Sequence, residues 1–349
     1  MKFTFKHIKH HWSTSAKVFP LMTLLSVLLS GCFEEDQKVL PHIPGDEISF
    51  ELEKSMYTTQ SFYDLGTNSV PADNENGIWV IKFGALSGDW HIGINSADYW
   101  GVYPSGTSVE DSIPANSPTE DWIFDRSSGD PDSSAFAGWV VFTEEDTIYT
   151  EFIYLLGKYD GISYKAKTAV QFLHVDDKGY LFRMKDWPSG EWKEYEILKS
   201  EIYNYIYFNA ANRETVTGIE PEMNSWDLLF TQYGDILYTD DGIPTPYYVR
   251  GVLLNSYAVT VAVDSVSVFQ NISFEDLVSY RFSTIQDIIG YDWKDVEVDQ
   301  TSNTAVYTIR PGITYIIRDT EDFFYKMRFI SYYNDLGEKG YPVIEHSRL

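Results

Sequence analysis

The sequence predicts an all-β protein made of two tandem antiparallel β-sheet domains, on three observations. Short aromatic and β-branched runs alternate with polar residues, Gly, Pro, Asn and Asp punctuate them, and one set of marks recurs 161 residues later. Tyr164-Lys165 and Tyr325-Lys326 each open an apolar run, and fourteen residues after each Tyr stands Lys-Gly-Tyr (Lys178-Gly179-Tyr180, Lys339-Gly340-Tyr341). Upstream, Trp79-x-x-x-Phe83 follows Tyr63-Asp64, and Trp226-x-x-x-Phe230 follows Phe208-Asn209 at an offset of 147. The offsets differ by an insertion in the second copy, and a unit of roughly 150 residues is a duplicated domain rather than a solenoid repeat.

Residues 1–31 carry Lys2, Lys6, Lys9 and Lys17 ahead of an apolar run, Val18 to Leu29, too short to span a bilayer. The run ends in Leu29-Ser30-Gly31-Cys32, which resembles a bacterial lipobox, with Cys32 as the lipid-attachment residue. Cys32 is the only cysteine, so a lipidated chain has no thiol left for a disulfide and depends on its core. Residues 32–46 read as a tether. Its Phe33-Glu34-Glu35-Asp36 resembles the acidic export signal of some Bacteroidetes surface lipoproteins, and the stretch through Pro41, Pro44 and Gly45 reads as a flexible stalk.

From Glu47 the texture is strands, as in Trp79 to Phe83, Tyr154 to Leu156, Tyr257 to Val263 and Thr304 to Ile309, with few short helices at most around Phe274 to Tyr280 and Phe282 to Ile289. The repeated stretches read as hairpins, turning at Asp176-Asp177-Lys178-Gly179 and between Asn334 and Gly340. Residues 47–184 are expected to form the first domain, 185–196 a charged linker broken by Pro188 and Gly190, and 197–349 a complete second domain.

With 26 basic and 52 acidic residues the net charge is -26, and loss of the four leader lysines makes it -30. Such a surface repels nucleic acid and anionic headgroups. No Gly-x-Ser-x-Gly elbow or phosphate loop is present, and the abundant carboxylates single out no glycosidase pair. Asp125, Asp130 and Asp132 lack EF-hand spacing.

In the second copy, Tyr203-x-Tyr205-x-Tyr207-Phe208-Asn209, then Asn224-Ser225-Trp226-Asp227-Leu228-Leu229-Phe230, Arg250-Gly251-Val252, and the closing Lys326 to Tyr341 occur in an order that resembles the HmuY family of haem-acquisition lipoproteins. The resemblance covers roughly residues 197–346 directly and the first half through the repeat. It implies an all-β fold, an outward-facing outer-membrane lipoprotein, haem held between two axial side chains, and delivery to a TonB-dependent transporter. It does not carry over the axial ligands, because Leu253 to Tyr325 contains no His, Met or Cys, and Val296 and Val298 follow Trp293 where a histidine is expected. Tyr257, Tyr280, Tyr291 and Tyr307 in that interval could in principle ligate iron, but in a chain with 26 tyrosines each is read as packing or edge decoration. In the first copy His91, in Asp89-Trp90-His91-Ile92, is the one candidate ligand-binding residue, while His174 alternates with apolar neighbours and faces solvent.

The expected function is therefore a surface-anchored ligand-binding or accessory subunit in nutrient uptake, with haem as the family's cofactor, no catalytic residues and no metal site. The alternative is a carbohydrate-binding or carbohydrate-active surface lipoprotein, since exposed Trp and Tyr also make sugar-stacking platforms.

Overall fold

The computed structural model describes residues 44–239, 241–299 and 304–349. The leader 1–31, Cys32 and nearly all of the tether lie outside them. Among the described residues no helix is long and apolar enough to cross a membrane.

The chain is all-β, as the sequence predicts, and its two halves correspond strand for strand. The first half runs β1 (Ile48–Glu51), β2 (Thr59–Asp64), β3 (Ser69–Glu75), β4 (Ile81–Gly84), β5 (Ile92–Ile94), β6 (Trp100–Pro104), β7 (Val140–Phe142), β8 (Thr147–Tyr149), β9 (Ile153–Tyr159), β10 (Tyr164–Val175) and β11 (Gly179–Asp186). The second runs β12 (Lys193–Leu198), β13 (Tyr205–Asn209), β14 (Glu214–Val216), β15 (Leu228–Tyr238), β16 (Pro244–Leu254), β17 (Thr260–Asp264), β18 (Lys294–Asp299), β19 (Thr304–Ile309), β20 (Thr314–Arg318), β21 (Phe324–Tyr333) and β22 (Lys339–Arg348). Among the described residues helical structure is confined to short 3-10 turns, such as Phe274–Ser279.

Strand order shows how the copies combine. Two five-stranded sheets run β12-β11-β10-β9-β6 and β1-β22-β21-β20-β17, and two four-stranded sheets run β14-β13-β4-β5 and β16-β15-β2-β3. In each case the strands at one side come from the other half. Tyr63 of β2 pairs with Leu228 of β15, while Phe208 of β13 pairs with Ile81 of β4. The first three strands of each copy are thus exchanged. One sandwich is continuous, β4 to β14, and the other joins β15–β22 to β1–β3.

This corrects the expected domain boundaries of 47–184 and 197–349. Residues 185–196 are no free linker, since β11 extends to Asp186 and β12 begins at Lys193, and the two pair. The physical reason is that duplicated units offer equivalent docking edges. Pairing within a copy or across copies satisfies the same hydrogen bonds, so periodicity alone cannot choose between them.

Each sandwich has its own aromatic core. Phe83, Phe172, Phe182 and Trp139 fill one, and Phe230, Met327, Trp293 and Ile344 fill the other. Burying each such side chain is worth about 1.5–3 kcal/mol. The two Lys-Gly-Tyr glycines serve different ends. Gly340 has φ +98°, whereas a Cβ at Gly179 would collide with the Ile197 carbonyl of β12.

Candidate functional site

The longest hairpin, β15–β16, continues past its sheet neighbours, because β2 pairs only with Leu228 to Phe230. Beside it stands the separate hairpin β18–β19. Trp293 anchors that second hairpin. Its ring stacks on Phe329 at 3.7 Å and 5°, and its Nε1 donates to the Gly290 carbonyl at 3.0 Å. The same carbonyl accepts from Val252 N at 2.9 Å. A Cβ at Gly251 would strike it, which gives the Gly-Val step a steric cause.

Between the hairpins lies a cavity of ≈ 110 Å³, with Leu237, Tyr247, Tyr248 and Val249 from β15–β16, Tyr291, Lys294, Val296 and Tyr307 on the β18–β19 side, and Tyr332 and Arg250 completing the lining. The outer parts of both hairpins carry exposed apolar groups, with Tyr238, Ile243, Tyr247, Val296, Val298 and Val306 each more than half exposed. Apolar surface left in water on two facing elements is what a binding groove presents.

At the base of the cavity lie the Lys294 amine and the Arg250 guanidinium. Lys294 Nζ donates to the Arg250 carbonyl at 2.6 Å and lies 3.9 Å from the Trp293 ring centroid and 4.9 Å from that of Tyr332. Burial pushes its pKa down to about 7. The Arg250 guanidinium sits 4.1 Å over the Tyr57 ring, with Nη1 donating to the Tyr248 carbonyl at 2.9 Å and Nε buried without a partner. Tyr307 is held by its neighbours: its N donates to Tyr333 Oη at 2.8 Å, its hydroxyl meets that of Tyr57 at 3.5 Å, and its ring packs 4.9 Å from Tyr332. Burial raises the Tyr307 and Tyr291 hydroxyls to about 12, so both stay protonated.

Chemically this is a slot with flat apolar walls, the Arg250 guanidinium and the Lys294 amine, suited to a planar ring that bears an acidic group. It contains no His, Met or Cys. Porphyrin iron would find phenol oxygens and the single Lys294 amine here, so the residues fit the ring and its carboxylates but not a pair of His or Met axial ligands.

Of the tyrosines noted from sequence, Tyr291 and Tyr307 line the slot. Tyr280 instead donates to Asp264 Oδ2 at 2.6 Å, and Tyr257 is an exposed residue elsewhere. Lys294, Arg250, Tyr247, Tyr248 and Tyr332 were not singled out, since they converge from three separated stretches. The usable signal was the Lys directly after Trp293. The corresponding hairpin of the first copy, β7–β8, follows Trp139 with apolar Val140 instead, and its Phe142 packs on Trp90 at 5.7 Å.

His91 lies outside the slot, in a second cavity between the sandwiches. It is 7% exposed, meets the Tyr205 ring edge-on at 5.8 Å, and burial lowers its pKa to about 3, which keeps it neutral. No second histidine shares that cavity. His174 is exposed beside Asp176 at 3.9 Å, and His346 is buried on Tyr63 Oη at 2.8 Å. Asp125 accepts from Ile94 N and Ala135 N, and Asp130 caps the 3-10 turn Pro131–Ser133, so both have local partners. Among the described residues no group of three or more His, Cys, Asp or Glu is placed to hold a metal.

No family model and no curated protein matches the chain. Among solved structures it is similar to apo PinO from Porphyromonas gingivitis, at 10% identity and TM-score 0.27 over 87% of this chain and 97% of that one. It is also similar to the apo HmuY analogue of Tannerella forsythia, at 10% identity and TM-score 0.24 over 88% of this chain and 98% of that one. At those TM-scores neither likeness bears on ligand or site.

Proposed function

We propose that the chain is an outward-facing outer-membrane lipoprotein, anchored through Cys32, that binds a flat, largely apolar ligand with an acidic group in the slot between β15–β16 and β18–β19. The observation that carries this is the pairing of Lys294 and Arg250 with a wall of tyrosines beneath exposed apolar hairpins. The ligand's ring packs on Tyr247, Tyr307 and Val296, and its carboxylate meets the Arg250 guanidinium and the Lys294 amine. Porphyrins are one such class, in keeping with the HmuY resemblance of residues 197–346. On this reading the protein is a binding or accessory subunit rather than an enzyme, and it passes its ligand to a TonB-dependent transporter.

Metal-free protoporphyrin IX tests the reading apart from iron. Quenching of tryptophan fluorescence should be saturable, should weaken at least tenfold in Arg250→Ala and in Val296→Asp, and should be unchanged in His174→Ala. Equal quenching in all variants would mean non-specific adsorption and would remove the proposal.

A further inference from the structure

The second cavity, ≈ 90 Å³, lies where the outer faces of the two four-stranded sheets meet. It takes residues from both copies, with Trp79, Lys82 and His91 from one and Tyr207, Thr231 and Gln232 from the other. By the same measure one ordered water needs roughly 10–15 Å³, so this space is larger than a single water site. Arg126 and Asp130 are exposed at its lining and mark its opening.

Two buried glutamines line it with unmet hydrogen-bonding atoms. Gln60 is 3% exposed and Gln232 is 1% exposed. The Gln60 Oε1 accepts from Trp79 Nε1 at 3.4 Å, and since indole can only donate, this leaves Gln60 Nε2 as a free donor. The Gln232 Nε2 donates to the Ala97 carbonyl, which can only accept, and leaves Gln232 Oε1 as a free acceptor. The amide orientations are therefore set by partner chemistry. Leaving a buried amide atom without a partner is unfavourable, so a ligand that satisfies both gains affinity there.

Charge decides the ligand's character. Lys82 and Arg126 are matched in number by Asp125 and Asp130, and His91 is neutral, so the lining has no net charge. Lys82 is further engaged over the Tyr205 ring at 4.1 Å. A hydroxyl group both accepts and donates, so neighbouring hydroxyls on one small molecule satisfy Gln60 Nε2 and Gln232 Oε1 together. We infer that this cavity is a second binding site, separate from the tyrosine slot, for a small uncharged polyhydroxylated molecule such as a monosaccharide or short polyol. Because Lys82 and Tyr207 belong to one sandwich and Gln60 and Gln232 to the other, such a ligand ties the two sandwiches together.

The test uses the chain from residue 33 onward, with glucose, N-acetylglucosamine and glycerol as probes and acetate as an anionic control, read by saturation-transfer NMR. At least one polyol should give a saturable signal that acetate does not displace. The signal should fall at least tenfold in Gln232→Leu and in Arg126→Trp, the second an exposed change that blocks the opening without disturbing the core. Protoporphyrin quenching should be unaffected in Arg126→Trp, which separates this site from the slot. The inference is overturned if none of the three polyols binds, if binding survives both substitutions, or if crystals soaked in glucose show only ordered water on the two glutamines.

Discussion

Asn95 and Asn255 make the same pair of hydrogen bonds in the two halves of the molecule. Asn95 Nδ2 donates to the carbonyls of Asn76 and Trp79 at 2.6 and 2.9 Å, and Asn255 Nδ2 donates to those of Met223 and Trp226, both at 2.7 Å. Both asparagines are buried, and each fixes the segment that leads from the exchanged strands into the next sheet. The tryptophans so fixed pack across the exchange, Trp79 on Tyr207 at 5.0 Å and Trp226 on Phe62 at 4.8 Å.

Replacing either asparagine with leucine leaves two buried carbonyls unpaired. Each change should cost about 2–3 kcal/mol in urea unfolding. A loss under about 0.5 kcal/mol, as for an ordinary surface substitution, would show that the amides do not hold these segments.

Strand exchange fixes which fragments fold. Residues 76–224 contain the whole β4–β14 sandwich and should unfold cooperatively on their own. Residues 197–349 lack β1, β2 and β3 and should not, and a peptide of residues 44–75 added in trans should restore order to 217–349. Independent folding of 197–349 would mean that each copy closes on itself.

The duplication was legible because aromatic positions such as Trp79 and Trp226 repeat with their spacing intact, and the all-β class because turns and alternation are local. The exchange was not legible. Tyr63 and Phe208 occupy matching places in equivalent strands, and nothing in either copy says which β4-like edge it joins. The slot was legible in part, through Trp293, Val296, Tyr291 and Tyr307, because those lie in one interval. Lys294 was hidden by its exposed-looking, charged neighbours, and Arg250 and Tyr332 reach it only through tertiary packing.

A buried carboxyl gives the pH dependence. Glu220 accepts from Asn204 Nδ2 at 2.7 Å and from Tyr205 N at 3.2 Å, yet burial pushes its pKa up to about 7 from 4.5. The folded state holds this proton more tightly, so its stabilising effect is complete below pH 4.5 and is lost as pH rises through 7. Wild type should therefore lose on the order of 3 kcal/mol relative to Glu220→Gln between pH 4.5 and 7.5. Parallel stability curves for the two proteins would contradict the assignment.

Membrane attachment is expected to depend on Cys32 alone, because acyl chains there are the apolar anchor proposed for the mature chain. Cys32→Ser should move the protein from the membrane to the soluble fraction in detergent-free cell fractionation. A variant that still sediments with outer membranes would exclude lipid at Cys32 as the anchor.

Haemin titration of the chain from residue 33 onward, followed in the visible spectrum, tests the central claim most directly. The slot offers tyrosines, Lys294 and Arg250 but no His, Met or Cys. The account predicts saturable one-to-one binding, weakened at least tenfold by Arg250→Ala, with no sharp low-spin spectrum because no pair of strong-field ligands completes the iron. A stoichiometric low-spin complex, insensitive to Arg250→Ala and abolished by His91→Ala, would place the ligand between the sandwiches and contradict the slot as the site.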